Sequence, residues 1–239
     1  MTDSLTWQEH TVRVRYSKRK TIALHVQAGQ IELRAPYRTD PAFMQAFLRS
    51  RDGWLNKAIH EQAIKAQDRI DYSLANRIPF MGFDVAVTRQ AQQKRPTWSL
   101  TPEGLSLTLP DPDDAETNLH LLADFYQSQA RFWLPKKTRE RAETGNLLSQ
   151  LKDVRLRKTK TKWGHCTHDG RIQYNWLIMM APERVIDYLV SHEVSHLKHL
   201  NHSSAFWQQV EALHPNYQAD RRWLRRHEHR LTLDHRAES

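Results

Sequence analysis

Two histidines, His192 and His196, frame the segment His-Glu-Val-Ser-His, which carries the strongest chemical signal in the chain. Residues i and i+4 of an α-helix lie one turn apart on the same face. Two imidazoles in that arrangement can bind one zinc ion at about 2.0–2.1 Å. Glu193 follows the first histidine, where its carboxylate can act as general base on a zinc-activated water, the chemistry of HExxH zinc hydrolases.

A catalytic zinc site combines three protein ligands with one open position, so a third ligand must lie nearby. His202 follows six residues after His196. The intervening Asn201 is a residue type that tolerates the left-handed backbone that ends a helix, so the chain can turn back toward the metal. The sequence predicts a zinc site of three histidines, His192, His196 and His202, with Glu193 as the catalytic residue.

Three further residues are alternatives for metal binding. Glu211 could serve as a distant third ligand, as a glutamate does in other HExxH enzymes. His199 lies ~10 Å along the helix axis from His192, so we interpret it as a residue that supports the ligands or lines the rim, and a solvent-exposed residue without a role is an equal alternative. Cys166 could bind the metal only if its hairpin covered the site, and a small packed residue is the simpler interpretation. As the one cysteine of the chain, it also excludes an intrachain disulfide and a cysteine-based zinc finger.

The first half of the chain is predicted to be β-rich. Apolar residues alternate with polar ones in three short runs between residues 12 and 33, which predicts a β meander with one buried face. A helix follows to about Gln67, with Asp40 as N-cap and Pro41 at the first helical position. We expect two strand pairs, the first over Pro79 to Val87 and the second a hairpin that a turn at residues 101–104 closes.

The second half is predicted to supply the elements that position the site. A long helix over residues 114–143 carries Pro135, which we expect to kink or split it, and Gly145 is suited to its C-terminus. A hairpin follows, with strands 154–167 and 171–179. Pro182 opens the helix that carries the metal motif, and two short helices come after it.

The predicted fold class is α+β, with a β-rich N-terminal part followed by a zincin-like catalytic domain with an HExxH helix. The acidic, proline-containing break after Pro110 divides the chain into a β-rich region of residues 1–110 with one long helix and a metal-dependent hydrolase domain of residues 111–239. A hydrophobic fraction of 39% and a charged fraction of 26% are typical of a folded globular protein.

Composition also bears on location and partners. The first residues lack the pattern of a signal peptide, and the longest apolar run is about seven residues against the ~20 of a membrane helix, so we expect a cytoplasmic protein without a membrane partner. The net charge of +9 is compatible with an anionic partner, such as nucleic acid or a nucleotide, but a solvated basic surface is the favoured interpretation. The charge concentrates in two clusters, Arg155, Arg157, Lys158, Lys160 and Lys162, and Arg221, Arg222, Arg225, Arg226 and Arg230.

Substrate binding is predicted at the hairpin between Trp163 and Trp176, whose edge could pair with an extended peptide through main-chain hydrogen bonds. A purely structural role of this hairpin is an equal alternative. The candidate substrate-binding residues are Trp163, His165, Asn175, Lys160 and Lys162. Candidates for stabilising the oxyanion are His165, His168, Tyr174 and Tyr217.

Residues 152–230 resemble the YgjP-like metallopeptidases, relatives of the SprT-like zinc proteases. The matching stretches are RLRKTKTKWGHCT, GRIQYNW, DYLVSHEVSHLKHLNHSSAFW and HPNY, and the earlier RYSKRKTIALHV and IPFMGFDV are also similar to that family. The resemblance implies a zincin-type domain with His192, His196 and His202 as ligands and Glu193 as base. One departure is His165, which lies where the family usually has serine in the pattern WGSCS.

The sequence thus predicts a zinc-dependent metallohydrolase, with peptide bonds as the first choice of substrate and Zn²⁺ as cofactor. The arrangement differs from the pattern HExxHxxGxxH of astacin-like and matrix proteases, because His199 replaces the glycine and no methionine follows Met180. One alternative is a metal-dependent nucleoside triphosphate phosphohydrolase, since the same activated water can attack phosphorus and basic residues can hold phosphates. Another is a DNA-associated module without enzymatic activity.

Overall fold

The chain divides after Arg69 into two units, Met1–Arg69 and Ile70–Ser239, in the computed structural model, which describes residues 3–27, 29–159 and 161–233. The first unit contains a four-stranded sheet with β1 (Ser4–Trp7), β2 (His10–Ser17), β3 (Ala23–Gln27) and β4 (Gln30–Pro36). The strands lie in the order β1-β2-β4-β3, and β2 runs parallel to β4. The predicted meander is therefore wrong, because alternating apolar residues specify the buried face of a strand but not its neighbour.

Two helices follow the sheet, α1 (Pro41–Ser50) and α2 (Asp52–Gln67). Asp40 is the N-cap as predicted, since its side chain accepts a hydrogen bond of 2.9 Å from the backbone N–H of Ala42. The single helix predicted here is interrupted at Arg51, whose φ of −111° and ψ of 14° leave the helical region. The buried core of this unit contains Trp7, Val12, Val14, Ile31, Leu33, Ala35, Met44, Leu48 and Leu55.

The second unit begins with another four-stranded sheet, made of β5 (Arg77–Phe80), β6 (Phe83–Ala91), β7 (Thr97–Thr101) and β8 (Gly104–Leu109). Its order is β5-β6-β8-β7, with β6 parallel to β8, so it repeats the order and strand directions of the first sheet. The predicted β7–β8 hairpin is confirmed by the pairing of Thr101 with Gly104. The strand pair predicted over Pro79 to Val87 is present as β5 and β6, and the chain turns between them at Met81 and Gly82, which have φ angles of 51° and 93°.

Helix α3 (Ala115–Thr144) is a single element of 30 residues, so Pro135 lies inside the helix and does not split it. Asp114 caps the helix by accepting hydrogen bonds from the backbone N–H groups of the next turn. Gly145 has a φ of −84°, and the left-handed residue after the helix is Asn146, with a φ of 55°. Asparagine adopts this conformation more readily than other non-glycine residues because its short polar side chain can bond to local backbone.

A third sheet contains β9 (Asp153–Arg157), β10 (Gly164–Cys166) and β11 (Arg171–Asn175) in the order β10-β11-β9. The predicted turn between β10 and β11 is present, and these strands are antiparallel. The long strand predicted over residues 154–167 is instead two strands on opposite edges, since β9 pairs in parallel with β11. The strand predicted to continue to residue 179 ends at Asn175, and Trp176–Met180 form a 3₁₀ helix.

Helices α4 (Glu183–Ser195), α5 (Ser204–Leu213) and α6 (Tyr217–His227) complete the second unit. Lys137 of α3 forms two ion pairs with α4, because its ammonium lies 2.6 Å from Glu183 Oε1 and 2.8 Å from Asp187 Oδ1. Within the described residues, no helix has the length and apolar character needed to cross a membrane.

One apolar core holds the second unit together. It joins residues of the second sheet, the third sheet and the helices, for example Leu107, Ile172 and Ile186. The boundary predicted at residue 110 therefore lies inside this unit, because the strands before it bury the same core as the helices after it. The mixed α+β class, with a β-rich N-terminal part and helices later, is confirmed.

Candidate metal centre

Helix α4 places His192 and Glu193 in its last turn, and His196 is the residue at which the helix ends. The backbone N–H of His196 donates to the carbonyl of Glu193 at 3.2 Å, and that of Leu197 donates to the carbonyl of Val194 at 3.0 Å. These 3₁₀-type bonds tighten the end of the helix. Asn201, predicted to be left-handed, is not among the described residues with positive φ, so the chain reverses without that conformation.

The three predicted ligand histidines converge. One ring nitrogen from each of His192, His196 and His202 lies within 4.8 Å of the other two. The Nε2 atoms of His192 and His202 are 3.2 Å apart. Two nitrogens bound to one tetrahedral zinc at about 2.0–2.1 Å are about 3.3 Å apart, so this pair fits a zinc ion without rearrangement.

The protonation of the cluster suits metal binding. His196 Nδ1 lies 2.9 Å from the carbonyl oxygen of His199, which can only accept, so Nδ1 donates and Nε2 keeps its lone pair. Burial lowers the pKa of His192 to about 3, and the neighbouring rings of His196 and His202 act in the same direction. Burial also lowers the pKa of His196. These two imidazoles are therefore neutral at pH 7, as a metal ligand must be.

Aromatic residues of α5 hold the three rings in place. Phe206 is fully buried, and its ring centroid lies 4.9, 4.4 and 4.8 Å from those of His192, His196 and His202. Trp207 stacks on His202 at 5.7 Å with an interplanar angle of 22°. Neither residue was predicted to contribute to the site, although both follow the third histidine closely and lie on the next helix.

Glu193 is 3% exposed, and its Oε2 atom has no hydrogen-bond partner among the described residues. Burial raises its pKa to about 8, and the positive charge of Lys162 opposes this effect. Strand β10 passes directly over the carboxyl group, because a Cβ atom added to Gly164 would lie 2.6 Å from both Cγ and Cδ of Glu193. The strand thus approaches the Oε1 side of the carboxyl group, and the buried Oε2 atom is the one to which a water or substrate group could supply a proton or from which it could accept one.

Four of the five predicted substrate-binding residues, Lys162, Trp163, His165 and Asn175, line one cavity of about 120 Å³ beside β10. The fifth, Lys160, lies outside the described residues. The side chain of Asn175 is already bonded within the protein, since it donates to the carbonyl of Thr159 at 3.0 Å and accepts from the N–H of Leu177 at 3.1 Å. Asn175 therefore holds the loop over the cavity, and the other three line it.

The remaining candidate residues either lie apart from the three histidines or have side chains that already pack or form hydrogen bonds within the protein. Glu211 is exposed and is not part of the histidine cluster. Cys166 is packed, and burial raises the pKa of its thiol to about 12.

Tyr174 is fully buried, with its hydroxyl 3.1 Å from that of Thr138, so it cannot reach a substrate. His168 is exposed in the turn after β10, and Tyr217 stacks on Trp207 at 5.4 Å.

A buried aspartate connects three helices behind the site. Asp220 of α6 is 2% exposed, and its Oδ2 atom lies 2.7 Å from Nε2 of His214, the residue that ends α5. Its other oxygen pairs with Arg184 in the first turn of α4. The ring of His214 faces Tyr188, which in turn contacts His192. This network fixes α4, and with it the metal motif, against α5 and α6.

Three convergent histidines beside a buried glutamate are the arrangement expected of a metal-dependent hydrolase. The model of one family, described as the YgjP-like metallopeptidase domain, matches residues 20–227. The chain therefore belongs to the YgjP-like metallopeptidases.

A comparison with solved structures identifies the crystal structure of the metallopeptidase zymogen of Pyrococcus abyssi abylysin. That chain is 22% identical to this one, with a TM-score of 0.36, and the match covers 41% of this chain and 99% of that chain. No match is found among the curated proteins.

Proposed function

We propose that the protein is a zinc-dependent peptidase with a zincin-like site in the region after residue 110. His192, His196 and His202 would hold the zinc ion, and Glu193 is the general base. The observation that carries this proposal is the unpartnered Oε2 atom of Glu193, buried in the last turn of the helix whose end supplies two of the three convergent ring nitrogens. A buried carboxylate oxygen without a partner is costly unless another group occupies the space beside it.

Zinc, when bound, polarises the scissile carbonyl and lowers the pKa of water. Residues of the chain itself transfer the protons and orient the ligand rings. Glu193 takes the proton of the attacking water and passes it to the leaving amine, and burial shifts its pKa upward from the ordinary value toward neutral pH, where both transfers are efficient. The His199 carbonyl keeps the His196 ring in one orientation.

The substrate is proposed to be an extended peptide along β10, the strand that covers Glu193. In the described residues, β10 has one neighbouring strand, β11, which leaves its other edge available for main-chain hydrogen bonds. Lys162, Trp163 and His165 line the cavity beside β10 and would contact side chains of the peptide. Lys160 belongs to the same proposal.

The test compares Glu193→Gln with Glu211→Gln, a matched change at an exposed glutamate. Both variants are loaded with zinc, and hydrolysis of fluorescein-labelled casein and of a mixture of quenched fluorescent peptides is measured. Glu193→Gln should retain one zinc per chain and lose at least a hundredfold in rate, because general base catalysis contributes about 10²–10⁴-fold. Glu211→Gln should behave as the parent. Hydrolysis at parental rate by zinc-loaded Glu193→Gln would refute the proposal.

Nucleoside triphosphate hydrolysis is the second candidate, and the position of Lys162 favours it. This ammonium is close enough to Glu193 to lower its pKa, so it could also hold a phosphate beside the site. ATP is therefore assayed in parallel with casein. Release of phosphate that depends on Glu193, without any cleavage of protein or peptide, would establish the second candidate in place of the first.

A further inference from the structure

A groove runs between α3 and β9, on the edge of the third sheet remote from β10. Two cavities of about 640 and 500 Å³ lie here, and Pro135 and Val154 line both. The two cavities are therefore adjacent, and together they are called the α3–β9 groove below. Consecutive residues of β9, such as Leu156 and Arg157, line it together. Successive side chains of a strand point to opposite faces, so the groove opens on the edge of β9.

The wall formed by α3 matches the length of the strand. Gln127, Arg131, Pro135 and Arg139 recur every fourth residue and form one stripe of the helix. The stripe spans about 18 Å at 1.5 Å per residue. The lining segment of β9 and its flanks, residues 152–158, spans about 20 Å at 3.3 Å per residue. An extended peptide of about six residues therefore fits the groove lengthwise.

Main-chain hydrogen-bonding groups face this space. β9 pairs with β11 and with no second strand in the described parts of the chain, so its outer N–H and C=O groups have no strand partner. Pro135 has no N–H group, so the carbonyl of Arg131 lacks the donor that it would have in an uninterrupted helix. An extended backbone can supply partners for both.

The charge of the groove is positive. Arg131, Arg139 and Arg157 are exposed and have no carboxylate partner within residues 3–27, 29–159 and 161–233. The one acidic residue in the lining, Asp153, already pairs with Arg155 at 2.9 Å. Free guanidinium groups favour carboxylates, with which they form paired hydrogen bonds.

We propose that the α3–β9 groove binds an extended acidic peptide segment, which adds to β9 as a strand and places carboxylates against Arg131, Arg139 and Arg157. Apolar side chains of the segment would lie on Val154 and Leu156, the half-buried floor. A peptide fits better than single-stranded nucleic acid, because the lining aromatic residue, Trp176, is 6% exposed and offers no open ring face to a base. The proposal concerns binding and is independent of the proposed catalytic activity.

The test measures binding of a fluorescein-labelled hexapeptide of alternating glutamate and valine by fluorescence anisotropy with the full-length protein. Arg131→Glu and Arg157→Glu should each raise the Kd at least about tenfold. Arg95→Glu, which makes the same charge change at an exposed position between β6 and β7, should leave the Kd unchanged. Circular dichroism verifies that each variant is folded, and all three positions are exposed, so the folds should be equal.

Two further probes distinguish the mode and the ligand. A peptide N-methylated at every backbone nitrogen should lose binding, because neither of its edges can donate to β9. The Kd of an oligothymidine should change no more in Arg131→Glu and Arg157→Glu than in Arg95→Glu, which loses the same positive charge. The proposal is wrong if N-methylation has no effect, if Arg95→Glu weakens binding as much as the groove variants, or if oligothymidine binding depends on Arg131 and Arg157 more than on Arg95.

Discussion

Replacement of Gly164 by alanine tests whether the close approach of β10 to Glu193 is needed for activity. The added Cβ atom would lie 2.6 Å from Cγ and Cδ of Glu193 and nearer still to Oε1. Carbon atoms in ordinary contact are about 3.5 Å apart, so the carboxyl group must move by about 1 Å or the strand must shift by that amount. Either change costs free energy, because Glu193 is 3% exposed and β10 is paired to β11 through Gly164 and Tyr174.

The expected loss follows from this displacement. A catalytic group misplaced by about 1 Å loses about 10²-fold in rate, which corresponds to about 2.7 kcal/mol in the activation barrier. The three atoms nearest to the new methyl group all belong to Glu193 and none to a histidine, so metal binding should survive. Gly164→Ala should therefore keep one zinc per chain and lose about a hundredfold in kcat/KM.

The assay is cleavage of a quenched fluorescent peptide, with zinc content measured by elemental analysis on the same sample. Gly53→Ala is the matched control, because a Cβ atom at that helical position meets nothing within 4 Å. It should leave kcat/KM unchanged and raise stability by about 0.5–1 kcal/mol. Parental kcat/KM in zinc-loaded Gly164→Ala would refute the reasoning that β10 fixes the carboxyl group of Glu193.

Three further variants test the ligands and their support. His196→Ala should lose zinc on dialysis, and a stoichiometric zinc content by elemental analysis would exclude it as a ligand. Tyr174→Phe removes the buried hydroxyl bonded to Thr138, so the free energy of unfolding in urea should fall by about 1 kcal/mol. Its kcat/KM should stay within about twofold, whereas a large loss would restore its candidacy as an oxyanion donor. Asp220→Ala leaves His214 without its partner and should lower the unfolding free energy by about 2–3 kcal/mol, which an unchanged urea midpoint would contradict.

The arrangement of the histidines could be predicted because they lie within eleven residues of one another. Helix geometry alone relates His192 to His196, and a short connection limits where His202 can go. The groups that complete the site could not be foreseen in the same way. The carbonyl of His199 is a backbone atom, common to every residue type, and the importance of Gly164 depends on a strand contact with a residue 29 positions away.

The order and direction of the strands in the sheets could not be predicted from the sequence either. Alternation identified the buried residues of β2 and β4 but could not reveal that these strands are parallel neighbours. It also gave no sign that β5 to β8 repeat the arrangement of β1 to β4, because the repeat lies in strand order and direction. Pairing partners depend on packing across the whole sheet, which a local pattern does not contain.

The repeated strand order has a consequence for how each sheet assembles. In the first sheet the β3–β4 hairpin closes a loop of a few residues, whereas the parallel pairing of β2 with β4 joins Val12 to Ile31. In the second sheet, likewise, the β7–β8 hairpin is local, whereas the parallel pairing of β6 with β8 joins Val87 to Leu105. Local hairpins form in about 1–10 μs, and longer loops close later because their entropic cost is greater. Each sheet is therefore expected to fold in the same order. The hairpin of its last two strands, β3–β4 or β7–β8, forms first, and the two earlier strands then pair with it.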